Sequence, residues 1–234
     1  MSYGPVGRPA GGPVLRSVKG LAAAVSVLFG VAAAVDIFAV WAGVGLYGHL
    51  GSALTGHTDQ VVPDAHVLDA AGEAQIGAVL VTGIVFIVWF YRVRVNAGYF
   101  AQDVCTMARG WAIGAWFVPV GNLWLPYRVA SEIWQASAQS APDGSWRTVS
   151  KAPVTAWWTL TITSAVIGRA GSSLTDSATT LADLRHAVAL AALGDLLNAV
   201  AAVLAIVFVR RLTRMQQAPH PFAAAAAVRP WPTP

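Results

Sequence analysis

Residues 21–46 form one apolar run whose only charged side chain is Asp36. A run of this length crosses a hydrocarbon layer of about 30 Å, which takes about 20 residues in a helix. Hydrocarbon offers no partner to a backbone N–H or C=O, so a chain inside it must satisfy those groups by itself, as a helix or in a closed barrel. The run is continuous and shows no two-residue alternation, which points to a helix. It also extends well beyond the 7–15 residues of a signal-peptide core, so it is expected to stay in the protein.

Three further apolar runs follow, at about 75–91, 153–168 and 187–209. The third of the four is short and opens on Trp157-Trp158, a pair suited to a membrane interface. Charged residues make up 11% of the chain, against about 25% in a soluble domain. These features predict an all-α polytopic membrane bundle of four transmembrane helices. The domain is expected over 15–215, with a Gly- and Pro-rich tail over 1–14 and an Ala/Pro-rich tail over 216–234, both expected to be disordered. The formal charge of +4 does not indicate nucleic-acid binding, because the Lys and Arg flank apolar runs and form no patch. Cys105 is the single cysteine, so no intrachain disulfide is possible.

Residues 109–137 interrupt this pattern. An apolar stretch begins at Trp111 and meets Pro119, which lacks a backbone N–H and clashes with the preceding turn of a helix. Gly121-Asn122 loosen the chain further, and an amphipathic helix is expected to resume at Leu123 with Asn122 as its N-cap. Val129, Ala130, Ile133 and Trp134 would share one stripe resting against the ends of the spans, with Trp134 at the interface and Arg128, Glu132 and Gln135 off the stripe. The spacing predicts a Pro-broken re-entrant or interfacial helix. Counting Lys and Arg supports it. If this segment does not cross and the N-terminus is cytoplasmic, 13 of the 15 basic residues, all but Arg169 and Arg185, lie on one side. If it crosses, with Arg128 left out as buried, the division is eight against six. The positive-inside rule selects the first arrangement, with both termini cytoplasmic.

The residues Trp89-Phe90-Tyr91-Arg92-Val93-Arg94-Val95-Asn96, Gly110-Trp111-Ala112, Trp116-Phe117-Val118-Pro119, Asn122, Pro126-Tyr127 and Glu132-Ile133-Trp134-Gln135-Ala136-Ser137 resemble a bacterial membrane family catalogued as domain of unknown function 4328. The order of hydrophobic segments agrees over about 15–215. The resemblance implies a multi-span protein of the bacterial inner membrane and no particular activity.

Two constellations carry candidate chemistry. Asp36 in the first span, with Asp195 and Asn198 in the fourth, lie at similar depth when counted from the outer ends. Ionisable groups at such depth are costly, so they are expected to face the bundle interior. Two carboxylates there could share a proton, as in a relay or a proton-coupled carrier. The bland alternative is simple hydrogen bonding across helices. The second constellation is Arg92, Arg94, Asn96, Arg128 and Glu132 beside the broken helix, with Trp116, Pro119, Asn122 and Trp134 forming it. It reads either as a site for an anionic lipid headgroup, small molecule or membrane partner protein, or as anchors that snorkel to the interface. Trp111, Trp116, Trp124 and Trp134 could cage a ligand, but aromatics are common at membrane boundaries and an interfacial belt is the preferred reading.

Residues 47–74 carry His49, His57, Asp59, Asp64, His66, Asp69 and Glu73 with no Lys or Arg, but show no recognised metal-ligand spacing. No metal site is expected. There is no G-x-S-x-G, H-E-x-x-H, P-loop or G-x-G-x-x-G, so neither a catalytic set nor a cofactor is expected. The chain reads as a non-enzymatic membrane protein that recognises a lipid, a small molecule or a partner, with a small proton-coupled carrier as the alternative.

Overall fold

A computed structural model describes residues 16–56, 65–138 and 149–217, and among them all regular structure is helical. The segment 1–14, His57, Asp59, Asp64, the side chains of His66 and Asp69, the turn signal Pro142-Asp143-Gly144 and the chain after Gln217 lie outside the described residues. The helices are α1 (Lys19–Leu54), α2 (Ala65–Phe100), the short α3 (Trp111–Gly114), α4 (Leu125–Ala136), α5 (Ala152–Ser177) and α6 (Leu181–Gln217), with one 3-10 turn at Gly121–Leu123.

Among the described residues, three helical stretches are long and apolar enough to cross a membrane: Lys19–Leu54, Ala70–Phe100 and Leu181–Gln217. At about 1.5 Å per residue, α1 measures about 54 Å, so these helices outrun a hydrocarbon layer of about 30 Å. The apolar runs therefore understate them. Residues 92–96 and most of 169–186, expected beyond the spans, are helical. α5 and α6 are joined only through residues 178–180, where Thr180 and Asp183 cap each other. The Thr180 backbone N–H donates to the Asp183 carboxylate at 3.2 Å, and the Asp183 N–H donates to the Thr180 hydroxyl at 3.1 Å, a reciprocal capping box.

α6 packs along both α1 and α5, and α2 packs along α1, giving the lateral order α2, α1, α6, α5. Neighbours are antiparallel: Asp36 faces Gln75, Gly43 faces Ala192, and Gly171 faces Ala191. α5 and α6 approach closely because small residues meet there. A Cβ on Gly171 would lie 2.7 Å from the Ala191 backbone nitrogen, and one on Gly194 would lie 2.8 Å from Gly168. Close backbone approach at small residues is how helices associate where lipid supplies no hydrophobic drive.

The broken segment lies at the end of the bundle that carries most of the Lys and Arg, between α2 and α5. α3 lasts four residues. The chain then turns, Val120 sits at φ +62°, and α4 starts at Leu125 with Pro126 in its first turn. The break is thus wider than a proline kink. A positive φ at a β-branched residue marks where the chain reverses. Asn122 is exposed and does not cap; Trp124 holds the cap position with no side-chain hydrogen bond.

The expected stripe of α4 is buried. Val129, Ala130 and Ile133 are fully enclosed, as is Trp134, which the sequence had placed at the interface. Trp134 joins Phe86, Trp89, Phe90, Trp116, Trp157, Trp158 and Phe208 in one aromatic core drawn from α2, the break, α4, α5 and α6. Trp157 stacks on Phe208 at 4.8 Å and 7°, and Trp116 meets Trp158 edge-on at 5.9 Å. The Trp158 indole donates to the Leu123 carbonyl at 2.9 Å, satisfying a backbone group freed by the break. The Trp134 indole donates to the Ser150 carbonyl at 3.1 Å. Trp111 and Trp124 stay exposed, as do Phe117 and Val120 at 70% and 67%. The tip of the break is therefore an apolar surface.

Candidate functional site

Asp36, near the middle of α1, is buried, and both of its oxygens accept hydrogen bonds from other helices. The Gln75 amide of α2 donates to Oδ1 at 3.2 Å, and the Asn198 amide of α6 donates to Oδ2 at 2.9 Å. The same Gln75 nitrogen donates to Asp195 Oδ1 at 2.9 Å. One side-chain amide thus bridges two carboxylates that are 159 positions apart, and α1, α2 and α6 meet in a single polar knot. Asp36, Asp195 and Asn198, matched in the sequence by depth alone, are brought together and turned inward. Gln75 is the member that sequence reasoning missed. It sits where the second apolar run begins, and the signal was an amide inside what is in fact the third turn of a much longer helix.

A cavity of about 270 Å³ reaches this knot from the α5–α6 turn end of the bundle. Gln75 and Asp195 line it, together with Ala39 and Gly43 of α1, Ala71 of α2, Thr175 of α5 and Ala191 of α6. Ala and Gly make up most of its wall, with Leu46 and Val188 beside them, so the space exists largely because small residues stand where larger side chains would fill it. Asp195 is half-buried and presents its carboxylate to this space, whereas Asp36 is enclosed behind it. Towards the other end the aromatic core fills the bundle. No group of three or more His, Cys, Asp or Glu among the described residues is arranged to hold a metal ion.

The residues proposed around the broken helix separate into two sets. Arg94 is buried, and its guanidinium donates to the backbone carbonyl of Met107 and, at 3.5 Å, to that of Cys105. Glu132, assigned to the polar side of α4, is also buried. It accepts from the Thr106 hydroxyl and from the Met107 N–H at 3.1 Å. The 101–110 loop folds over the flank of α4, so a side chain off the apolar stripe is covered by loop donors. Asn96 is enclosed too. It accepts from the Arg16 N–H at 3.1 Å and donates to the Arg16 carbonyl at 3.0 Å and to Gln216 at 3.3 Å. Gln216, expected to open the tail, lies instead in α6 and donates at 2.9 Å to both the Val93 carbonyl and the Ser137 hydroxyl. Arg94, Asn96, Glu132 and Gln216 therefore fasten the fold from inside.

Arg92 is half-buried, and Arg128 is exposed with a 3.8 Å ion pair to Glu132. Pro119 and Asn122 are exposed, while Trp116 is half-buried in the aromatic core. Burial pushes the Cys105 thiol above its ordinary pKa, so it stays a thiol near neutrality.

Among the described residues the regular structure is all helical, with three apolar helices of membrane length around an interior carboxylate–amide knot, which fits a membrane protein of the helix-bundle class. Within that class the chain belongs to the family described as Domain of unknown function (DUF4328), whose model matches residues 57–214. The match takes in Gln75, Asp195, Asn198 and the whole broken segment and leaves α1, with Asp36, outside it. No curated protein and no solved structure matches the chain.

Proposed function

We propose that this protein is a small proton-coupled carrier of the bacterial inner membrane whose coupling site is Asp36, Gln75, Asp195 and Asn198. The observation that carries the reading is the Gln75 amide, which bridges both carboxylates at the floor of a cavity open towards one end of the bundle. A carboxylate facing such a space takes up and releases a proton or exchanges it for a small cationic ligand. The second carboxylate, reached through one shared amide, senses the change. Because the other end is packed with aromatic rings, the arrangement corresponds to one of the two access states of such a cycle.

In this reading α5 makes a fourth crossing beside α6, despite its Ser, Thr and Arg169. The segment from α3 to α4 is a re-entrant or interfacial element whose exposed Phe117, Val120 and Trp124 meet lipid. Both termini are cytoplasmic, and Arg92 and Arg128 lie at the headgroup level, where anionic lipid is the partner. Single cysteines at Ser145 and Thr179, in a Cys105→Ser background, then label from opposite sides with an impermeant thiol reagent. Equal labelling from outside contradicts this topology.

The carrier reading is tested in liposomes enclosing a pH-sensitive dye, with the purified full chain and an imposed proton gradient. Proton flux above that of empty vesicles is expected, with loss of that flux in Asp36→Asn and in Asp195→Asn. Wild-type flux in both variants refutes the assignment.

A further inference from the structure

At the opposite end from the carboxylate knot, α1 and α6 enclose a second cleft, of about 260 Å³, lined by Lys19 and Ser26 of α1 and by Arg210, Thr213 and Arg214 of α6. The geometry points to a binding site for a phosphate group, presented by an anionic lipid headgroup or by a soluble phosphate. Four observations meet there. Three cations from two helices line one concave space and no acidic side chain does. Among the described residues none of the three forms an ion pair. The adjoining segments 1–15 and 218–234 contain no Asp or Glu to neutralise them. Lastly, Thr213 is more than nine-tenths buried and lines the cleft, yet its hydroxyl has no hydrogen-bond partner.

A buried hydroxyl without a partner is costly unless a ligand supplies one. The ligand that suits this hydroxyl, with three cations and the Gln217 amide lining the same space, is an oxyanion with several acceptor oxygens. Neighbouring Ser26 is already committed, its hydroxyl donating to the Ala22 carbonyl at 2.7 Å, so it leaves only acceptor capacity facing the space. Ala22 and Ala23 keep that wall low enough for a headgroup to approach. The site shares no residue with Asp36, Gln75, Asp195 and Asn198 and does not depend on the carrier reading.

The test uses the full chain in detergent. Lipid retention is read by native mass spectrometry with phosphatidylglycerol or phosphatidylcholine added, and thermal stability is read with inorganic phosphate alone. Three cations contribute on the order of a hundredfold to binding an anionic headgroup, and one hydrogen bond to a charged group about tenfold. Phosphatidylglycerol retention, with phosphatidylcholine not retained, should fall by those factors in Lys19→Gln/Arg210→Gln/Arg214→Gln and in Thr213→Val. It should persist in Arg109→Gln/Arg211→Gln, which removes two exposed charges from the same end outside the cleft. Stabilisation by inorganic phosphate that disappears in the same two cleft variants assigns the site to a soluble phosphate instead of a lipid. Unliganded melting curves matching wild type verify folding, and Thr213→Val, which changes one atom group in a closed helix face, keeps the test decisive if the triple variant folds poorly. Equal losses in the Arg109/Arg211 control, or wild-type retention in Thr213→Val with no phosphate effect, overturns the proposal.

Discussion

Gln75→Leu removes the shared donor of the polar knot while keeping a side chain of similar size. Two hydrogen bonds to carboxylates disappear, at 3.2 and 2.9 Å. Each such bond contributes about 1.5–3 kcal/mol, and a buried acceptor left alone costs its desolvation as well. Asp36 keeps the Asn198 amide at 2.9 Å, whereas Asp195 retains no donor among the described residues. We therefore expect a net loss of about 2–4 kcal/mol, nearer the upper value if Asp195 draws no water from the cavity. A chain of this size shifts its melting temperature by about 2–4 °C per kcal/mol, so the midpoint should fall by about 4–16 °C. In Asp36→Leu/Asp195→Leu, where acceptors and charge are both gone, Gln75→Leu should cost less than about 1 kcal/mol, because removing both partners of a buried polar contact is close to neutral. Unfolding in detergent followed by tryptophan fluorescence provides all four corners of this cycle. An equal cost of Gln75→Leu with and without the two carboxylates would refute the bridging role.

The α5–α6 glycines should differ in sign: Gly171→Ala and Gly194→Ala press a Cβ onto backbone and lose about 1–3 kcal/mol each. Gly168→Ala, where an added Cβ meets nothing within 4 Å, should be neutral or stabilising by up to about 1 kcal/mol, and melting curves of the three variants check the order. Val120→Gly relieves a left-handed β-branched residue and should gain about 1 kcal/mol, whereas Pro119→Ala leaves the reversal in place, as an interhelical distance between spin labels on α3 and α4 would report. Alkylation of Cys105 by maleimide should be slow near neutral pH and climb only as the pH passes the ordinary thiol range, since burial disfavours the thiolate; rapid labelling at pH 7 contradicts the described packing.

The length of the continuous apolar runs made the long helices legible, and depth counting paired Asp36 with Asp195 and Asn198 across 162 positions. The α4 stripe was legible as well, because i, i+1, i+4 and i+5 spacing dictates one face whatever covers it. Glu132 and Arg94 were not. Pattern reading assigns charged residues to water or headgroups, while here the 101–110 loop brings the Met107 N–H to Glu132 and the Cys105 and Met107 carbonyls to Arg94. Such loop contacts have no periodicity to betray them. Helix ends were misread for a related reason. Arg92, Asn96 and Gln216 resemble terminators by composition, yet their helices continue because the polar groups find partners on neighbouring elements. Gln75 escaped notice because a lone amide near the edge of an apolar run looks like its boundary.

The aromatic core has an optical consequence. Five of the ten tryptophans, Trp89, Trp116, Trp134, Trp157 and Trp158, sit in it beside Phe86, Phe90 and Phe208. Rings stacked or edge-on at 4.8–6.0 Å give strong near-ultraviolet dichroism and mutual energy transfer, both of which fade steeply with separation. Any movement that opened the arginine-rich end of the bundle would have to part these rings. The protein therefore carries a built-in, label-free spectroscopic reporter of that movement, and any ligand that drives it should announce itself in the indole spectrum.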